Sequence, residues 1–173
     1  PAAGLALAAL LLVAGVVATR ADAGPRRAIG ITLLLALLAG GSYGGDNAPI
    51  FRMIGPESLK LGSWGAEALE GLEALPEEPV LIRNRMSGFN GTGLDALLRN
   101  AGVTDLLVAG VWTNMAVEHT VRDAADHGYR PILVTDATSS INADWQRAAL
   151  SYALTNIAEF TTTGDVTGAS PTS

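Results

Sequence analysis

Short β-branched runs alternate with amphipathic helical patterns along most of this chain, and this alternation limits the possible folds more than any other feature. The candidate strands are residues 49–53, 79–83, 105–111, 131–135 and 157–162. Alternation of strands and helices predicts a parallel sheet with right-handed crossovers and helices on both faces. Five strands leave such a sheet without its central strand, so we expect residues 7–13 in that role and residues 31–38 as a helix packed on the sheet. The prediction is an α/β fold with a three-layer, doubly wound, mostly parallel sheet of six strands.

Apolar positions at helical spacing define three helices between these strands. The first is expected to begin at Thr92, with Asp95 completing a capping box, and to end at Gly102. The second is expected to end at Gly128. The apolar positions are Leu94, Leu97, Leu98 and Ala101 in the first helix, Val117, Val121, Ala124 and Ala125 in the second, and Trp145, Ala149, Tyr152 and Ala153 in the third. We expect one domain over residues 1–166 and a tail over residues 167–173.

Residues 1–45 are more apolar than the rest and allow two interpretations. Their only charges, Arg20, Asp22, Arg26 and Arg27, lie between two apolar runs at residues 4–18 and 28–39. The runs are typical of the buried first strand and following helix of an α/β fold. They are also compatible with a membrane hairpin that has a basic turn. We favour the buried interpretation, because the predicted sheet needs a central strand.

Composition excludes several classes of function. The chain has 173 residues and no cysteine, so a disulfide framework, a thiolate metal site and a thiol nucleophile are all absent from it. A formal charge of −6 without an extended basic cluster argues against a nucleic-acid partner. His119 and His127 are eight residues apart, which is too far for a shared metal on one helix, and we predict no metal site and no cofactor.

Four motifs in order along the chain resemble those of the isochorismatase-like hydrolases, also called the cysteine hydrolase superfamily. They are residues 62–65 (GSWG), 83–95 (RNRMSGFNGTGLD), 110–118 (GVWTNMAVE) and 135–137 (TDA). The resemblance implies a largely parallel six-stranded sheet and hydrolysis of C–N bonds in small amides and ureido compounds by an Asp, Lys and Cys triad. It also implies a cytoplasmic homo-oligomer, a dimer or tetramer, that binds a small molecule.

Carried over residue by residue, this triad is replaced. The family lysine falls on Arg83, the nucleophilic cysteine on Ala116, and the aspartate that closes the first strand on Ala14. A methyl group cannot attack a carbonyl carbon, and an arginine cannot take over proton transfer from a lysine of adjustable pKa. The resemblance therefore implies a silent site.

The resemblance also implies which residues surround the site. It places a cis peptide bond between Val111 and Trp112, with the Trp112 and Ala116 amides forming an oxyanion hole. Ser87, Phe89, Asn114 and His119 are the other candidate binding residues; Ser87 and Phe89 can equally be structural turn residues, and His119 a surface or interface residue. Arg83 and a helix N-terminus together favour a small planar anion, on which the Trp112 indole would stack.

Three functions stay open from the sequence. The first is a catalytically degenerate family member that binds a small ligand or a partner protein. The second is an active hydrolase of an amide or enol ether that uses substitute groups such as Arg83 and His119. The third is a membrane-tethered interaction module anchored through residues 4–45.

Overall fold

The computed structural model describes residues 14–19, 31–37, 48–54, 76 and 79–167. Its strands are β1 (Ala14–Thr19), β2 (Ile31–Leu37), β3 (Val80–Arg83), β4 (Asp105–Val111), β5 (Arg130–Ser139) and β6 (Glu159–Thr161). They form one six-stranded sheet in the order β3-β2-β1-β4-β5-β6. β2 and β3, β4 and β5, and β5 and β6 pair in parallel, whereas β1 runs antiparallel to both of its neighbours. The predicted α/β fold with a mostly parallel sheet is confirmed.

In the described ranges, five helices connect or follow these strands. They are α1 (Pro49–Ile54), α2 (Leu94–Asn100), α3 (Glu118–Asp126), α4 (Ala143–Ala148) and α5 (Thr163–Thr167). A π-helical turn, Thr113–Val117, leads directly into α3, and a second one, Ala149–Ala153, continues α4. The predicted strands at residues 79–83, 105–111, 131–135 and 157–162 correspond to β3, β4, β5 and β6.

Two predicted elements are wrong. Residues 31–38 were expected to form a helix, but Ile31–Leu37 is β2, paired with β1 and β3. An unbroken apolar run has no periodicity that separates a buried helix from a buried strand, so strand pairing decided its conformation. Residues 49–53 were expected to form a strand, but they belong to α1. Pro49 is the first residue of that helix, a position where the missing N–H and the fixed φ of proline favour a helix.

The two apolar runs near the start of the chain contribute neighbouring strands. Residues 7–13, the predicted central strand, lie outside the described residues, and so do residues 40–45 and 168–173. The central position is filled by β1, which begins at Ala14. Within the described ranges, no helix is long and apolar enough to cross a membrane.

One hydrophobic core holds α2 and α3 against β4 and β5. Its fully buried members include Leu94 and Leu98 of α2, Val121 of α3, Leu106 of β4 and Leu133 of β5. Of the apolar positions predicted for the first two helices, all but Ala125 belong to this core or pack against it. Both predicted helix-terminating glycines have the expected left-handed backbone, with φ of +66° at Gly102 and +86° at Gly128.

The last predicted helix differs from its pattern. Ala149 is buried, but Trp145 and Tyr152 are exposed, with 78% of the Tyr152 surface accessible. The π-helical turn Ala149–Ala153 is wider than an α-helical turn, so it changes which residues share a face with Trp145. The apolar stripe predicted for this helix, with a period of 3.6 residues, therefore ends at this turn.

The capping box predicted at the start of α2 does not form. Thr92 Oγ1 accepts a hydrogen bond from Leu94 N at 3.2 Å and donates one to Gly88 O. Asp95 instead accepts a hydrogen bond from the Tyr129 hydroxyl at 2.8 Å and lies 3.0 Å from Arg99 Nε. Burial, followed by this hydrogen bond, raises the pKa of Tyr129 to about 12. The acidic side chain thus connects α2 to the start of β5 rather than capping its own helix.

The raised pKa of Tyr129 predicts a pH dependence of stability. Above the ordinary pKa of 10.0, tyrosine in the unfolded chain loses its proton while the folded chain keeps it up to about 12. The free energy of unfolding should therefore be constant below this window and fall as pH rises through it. Urea unfolding at several pH values, with tyrosinate absorbance recorded in parallel, measures both effects.

The matched variants for this experiment are Tyr129→Phe and Tyr152→Phe. Tyr129→Phe should remove the late-titrating absorbance and flatten the loss of stability, at a cost of about 1 kcal/mol at neutral pH for the lost hydrogen bond. Tyr152→Phe alters an exposed side chain and should leave both measurements unchanged. Late titration that persists in Tyr129→Phe would contradict this assignment.

Candidate functional site

Arg83 ends β3 and places a cation inside the protein. Only 1% of its surface is exposed. Its Nη1 donates to the Arg85 carbonyl oxygen at 2.6 Å and to the Met86 carbonyl oxygen. Burial lowers the pKa of the Arg83 guanidinium to about 10, so it keeps its proton at neutral pH. The loop after β3 therefore folds back over the guanidinium of Arg83, the residue that ends the strand.

The charge of Arg83 has no compensating anion among the described residues. Its Nε is buried and has no hydrogen-bond partner. None of the ion pairs formed between described residues involves it. A buried charge without an opposite charge costs several kcal/mol, even after relaxation of the protein around it. Arg83 is thus the most costly polar group in the described part of the chain.

A single hydroxyl connects this loop to the chain after β4. Thr120 Oγ1 accepts a hydrogen bond from Gly88 N at 3.0 Å and donates one to the Ala116 carbonyl oxygen at 2.7 Å. Ser87 Oγ accepts a hydrogen bond from Phe89 N at 3.1 Å, which fixes the turn beside it. The loop that encloses Arg83 is therefore attached to the turn that contains Ala116.

The helix after β4 has two buried faces. Val117, Val121 and Ala124 belong to the hydrophobic core. Thr113, Ala116 and Thr120 are also buried but lie outside that core cluster, and the four-residue spacing of Ala116 and Thr120 puts these two on a common face. This face meets the loop after β3 through Thr120. The methyl group of Ala116 therefore lies on the face that meets the Arg83 loop.

The peptide bond between Val111 and Trp112, at the joint between β4 and this helix, is cis, as predicted. Trp112 is buried, with 5% of its surface exposed, and its carbonyl oxygen accepts hydrogen bonds from Met115 N at 3.0 Å and Val117 N at 3.1 Å. Thr113 Oγ1, one residue further, is fully buried and has no partner among the described residues. A second unsatisfied polar atom thus lies at the edge of the sheet where β4 ends.

Phe89 lies away from Ala116. Its ring stacks on His127 with 4.7 Å between centroids and lies 5.9 Å from the ring of Tyr129. His127 follows the last residue of α3, whereas Ala116 precedes its first residue. The structure therefore places Phe89 in the hydrophobic core at the far end of α3.

Asn114 and His119 also face away from Arg83. Asn114 Oδ1 accepts a hydrogen bond from Ser140 Oγ at 3.1 Å. Asn114 also lines an open groove of about 440 Å³ together with Glu118, Trp145, Ala148, Ala149, Tyr152 and Ala153. His119 is exposed, and its Nδ1 lies 2.8 Å from the Met115 carbonyl oxygen. Of the candidate binding residues, Ser87 is buried in the loop after β3 and Trp112 is buried at the joint after β4.

The resemblance placed Ala14 at the end of the first strand. In the structure, Ala14 is instead the first residue of β1. β1 runs antiparallel to β4, with Val16 paired to Val108 and Thr19 to Asp105. The start of β1 therefore lies toward the end of β4, at the edge that also carries the cis peptide bond. The backbone of Ala14 is near the predicted site because β1 runs antiparallel to β4, and not because Ala14 ends a strand.

Thr120 and Thr113 are functional candidates that the sequence analysis missed. Thr120 follows Ala116 by four residues and precedes Val121, inside an otherwise apolar stripe. A polar residue at such a position was a recognisable signal, because a buried hydroxyl needs a partner. Among the residues described here, no group of three or more His, Asp or Glu side chains could hold a metal ion.

Comparison with known proteins agrees with this geometry. The isochorismatase domain matches residues 44–165. Ureidoacrylate amidohydrolase RutB from Pantoea ananatis is 35% identical over 94 residues, which cover 54% of this chain and 38% of that enzyme. This chain thus aligns with about two fifths of the length of such curated relatives.

Solved structures share the fold. An isochorismatase-like hydrolase from Alkaliphilus metalliredigens superposes with a TM-score of 0.68 at 26% identity, covering 79% of this chain and 71% of its own. N-carbamoylsarcosine amidase from Thermoplasma acidophilum superposes with a TM-score of 0.61 at 27% identity, covering 75% and 70%. With the domain match spanning well over half of its residues, this chain belongs to the isochorismatase family.

Proposed function

We propose that this chain is a catalytically degenerate member of the isochorismatase family, which binds a small molecule without hydrolysing it through a covalent intermediate. The observation that carries this proposal is the methyl group of Ala116 on the buried face beside the Arg83 loop. A thiol attack requires a sulfur atom, and this sequence contains no cysteine. The loop attached to the Ala116 turn through Thr120 supports a site that keeps its shape without its nucleophile.

Hydrolysis of a C–N bond is the second candidate function. The names of the relatives favour it, because they include a ureidoacrylate amidohydrolase and an N-carbamoylsarcosine amidase. In this chain such a reaction would depend on substitute groups such as Arg83 and His119. We expect Arg83 to stabilise negative charge but not to transfer a proton, because its pKa of about 10 keeps it protonated at neutral pH.

Assembly as a homo-oligomer and a cytoplasmic location are further parts of the proposal.

An activity assay separates the two candidate functions. With ureidoacrylate, nicotinamide and N-carbamoylsarcosine as substrates, we expect no ammonia release above the uncatalysed rate. Loss of a nucleophile that acts as part of a unit removes about 10⁶ of the rate. Turnover near ~1 s⁻¹ on any of these substrates would overturn the proposal. If that turnover were lost in Arg83→Met and His119→Ala, hydrolysis through substitute groups would be the better account.

A single introduced thiol reports whether position 116 faces the ligand site. Because the sequence has no cysteine, Ala116→Cys carries the only thiol in the chain. We expect a small neutral reagent such as iodoacetamide to label Cys at this position, with the mass increase measured on the intact protein. Val121→Cys is the matched control, since Val121 is fully buried in the core and should label only on unfolding. Equal resistance of the two variants would place the Ala116 side chain in the core instead.

Thr120 should hold the loop that encloses Arg83. Thr120→Val keeps the shape of the side chain but leaves the Gly88 N–H without its acceptor, so we expect a loss of about 1–3 kcal/mol in the free energy of unfolding. Thr120→Ser keeps the hydroxyl and should lose less. Urea denaturation of the three proteins measures these differences. Equal stability of Thr120→Val and the wild type would show that the loop does not depend on this hydroxyl.

A further inference from the structure

The described residues hold the guanidinium of Arg83 through one of its nitrogen atoms. Both of its hydrogen bonds to described residues leave from Nη1, toward the carbonyl oxygens of Arg85 and Met86. Nε lies on the opposite edge, is buried and has no partner. In arginine, Nε–H and one N–H of Nη2 form a parallel pair of donors that matches the two oxygens of a carboxylate. The anchored side fixes this donor edge in one orientation.

An anion beside Arg83 would offset the cost of burying its positive charge. Desolvation is the physical cause that lowers the pKa of Arg83, with no carboxylate opposing it. The ion pairs of other described arginines show the contrast: Arg99 pairs with Asp95, Arg122 with Glu118, and Arg130 with Asp105. Each of these three arginines lies at or near the surface, yet each has a carboxylate. Arg83 is buried, and it has no carboxylate partner among the residues that the structure describes.

We propose that Arg83 is the receptor for a carboxylate ligand, which accepts hydrogen bonds from the unpartnered Nε edge and supplies the missing negative charge. This proposal rests on the proposed function, and it names the class of small molecule that the degenerate site binds. The two parallel N–H groups lie in one plane, as do the two oxygens of a carboxylate, and the single negative charge of a carboxylate equals the charge of Arg83. The buried and unpartnered hydroxyl of Thr113 is a second polar group at the edge of the sheet where the parallel strands end.

Calorimetric titration with benzoate tests the proposal, with benzamide as the neutral molecule of the same shape. We expect the wild type to bind benzoate, and Arg83→Met to bind it about 10- to 100-fold more weakly because a charged hydrogen-bonded contact is lost. Benzamide should bind the wild type more weakly than benzoate does, and Arg83→Met should change its affinity little. Arg147→Met removes an exposed arginine and should bind benzoate as the wild type does.

Arg83→Lys covers the case in which Arg83→Met fails to fold. It keeps the positive charge but lacks the planar pair of donors, so we expect affinity for benzoate to fall about tenfold. Equal benzoate affinity in the wild type and Arg83→Lys, or in the wild type and Arg83→Met, would overturn the proposal. Absence of benzoate binding to the wild type would also overturn it, as would tighter binding of inorganic phosphate than of benzoate.

The two proposals fail in different ways. Amide turnover by the wild type would overturn the non-hydrolytic function and leave carboxylate recognition by Arg83 standing as a property of the substrate site. Equal benzoate affinity in the wild type and the Arg83 variants would overturn carboxylate recognition by Arg83. It would leave the proposal of a site without a nucleophile standing.

Discussion

The hydroxyl of Thr120 links the segments that follow β3 and β4, two strands that are not neighbours in the sheet. β3 and β4 are separated by β2 and β1, so their ends lie about 14 Å apart at the usual spacing between strands. The loop after β3 crosses this distance, and Gly88 N meets Thr120 Oγ1 at its end. The same oxygen donates to the carbonyl of Ala116, so one side chain holds the loop and the helix in register. The enclosure of Arg83 depends on this contact.

The chemistry of the site separates binding from bond cleavage. Binding needs shape and charge, both of which the loop around Arg83 retains. Cleavage by the family route needs a thiolate and a group that moves a proton at neutral pH, and Ala116 and Arg83 provide neither. The resemblance assigns Arg83 to the position of the family lysine, and there an arginine would exchange a movable proton for a permanent charge with fixed donors.

Sequence patterns predicted elements best where one face packs on a core. Leu94 and Leu98 in α2, Val121 in α3 and Val117 in the turn before it follow the helical period and are fully buried. The prediction for residues 31–38 was wrong because a continuous apolar run carries no period, and β1 selected the strand. The capping box at Thr92 was wrong because Asp95 found a tertiary partner in Tyr129. In both cases a contact distant in sequence outweighed a local preference.

By itself the sequence determined the absence of a thiol, the arginine at position 83, the core stripes of α2 and α3, and, through the resemblance of residues 110–118, the joint after β4. Only the tertiary structure decided that β1 runs against its neighbours, that Phe89 packs at the far end of α3, and that Arg83 is buried with no carboxylate partner among the described residues. The physical reason is that residue type and local period are properties of the chain, whereas burial and charge pairing depend on which segments meet. The unpartnered Nε of Arg83 is visible only once the loop has closed over it.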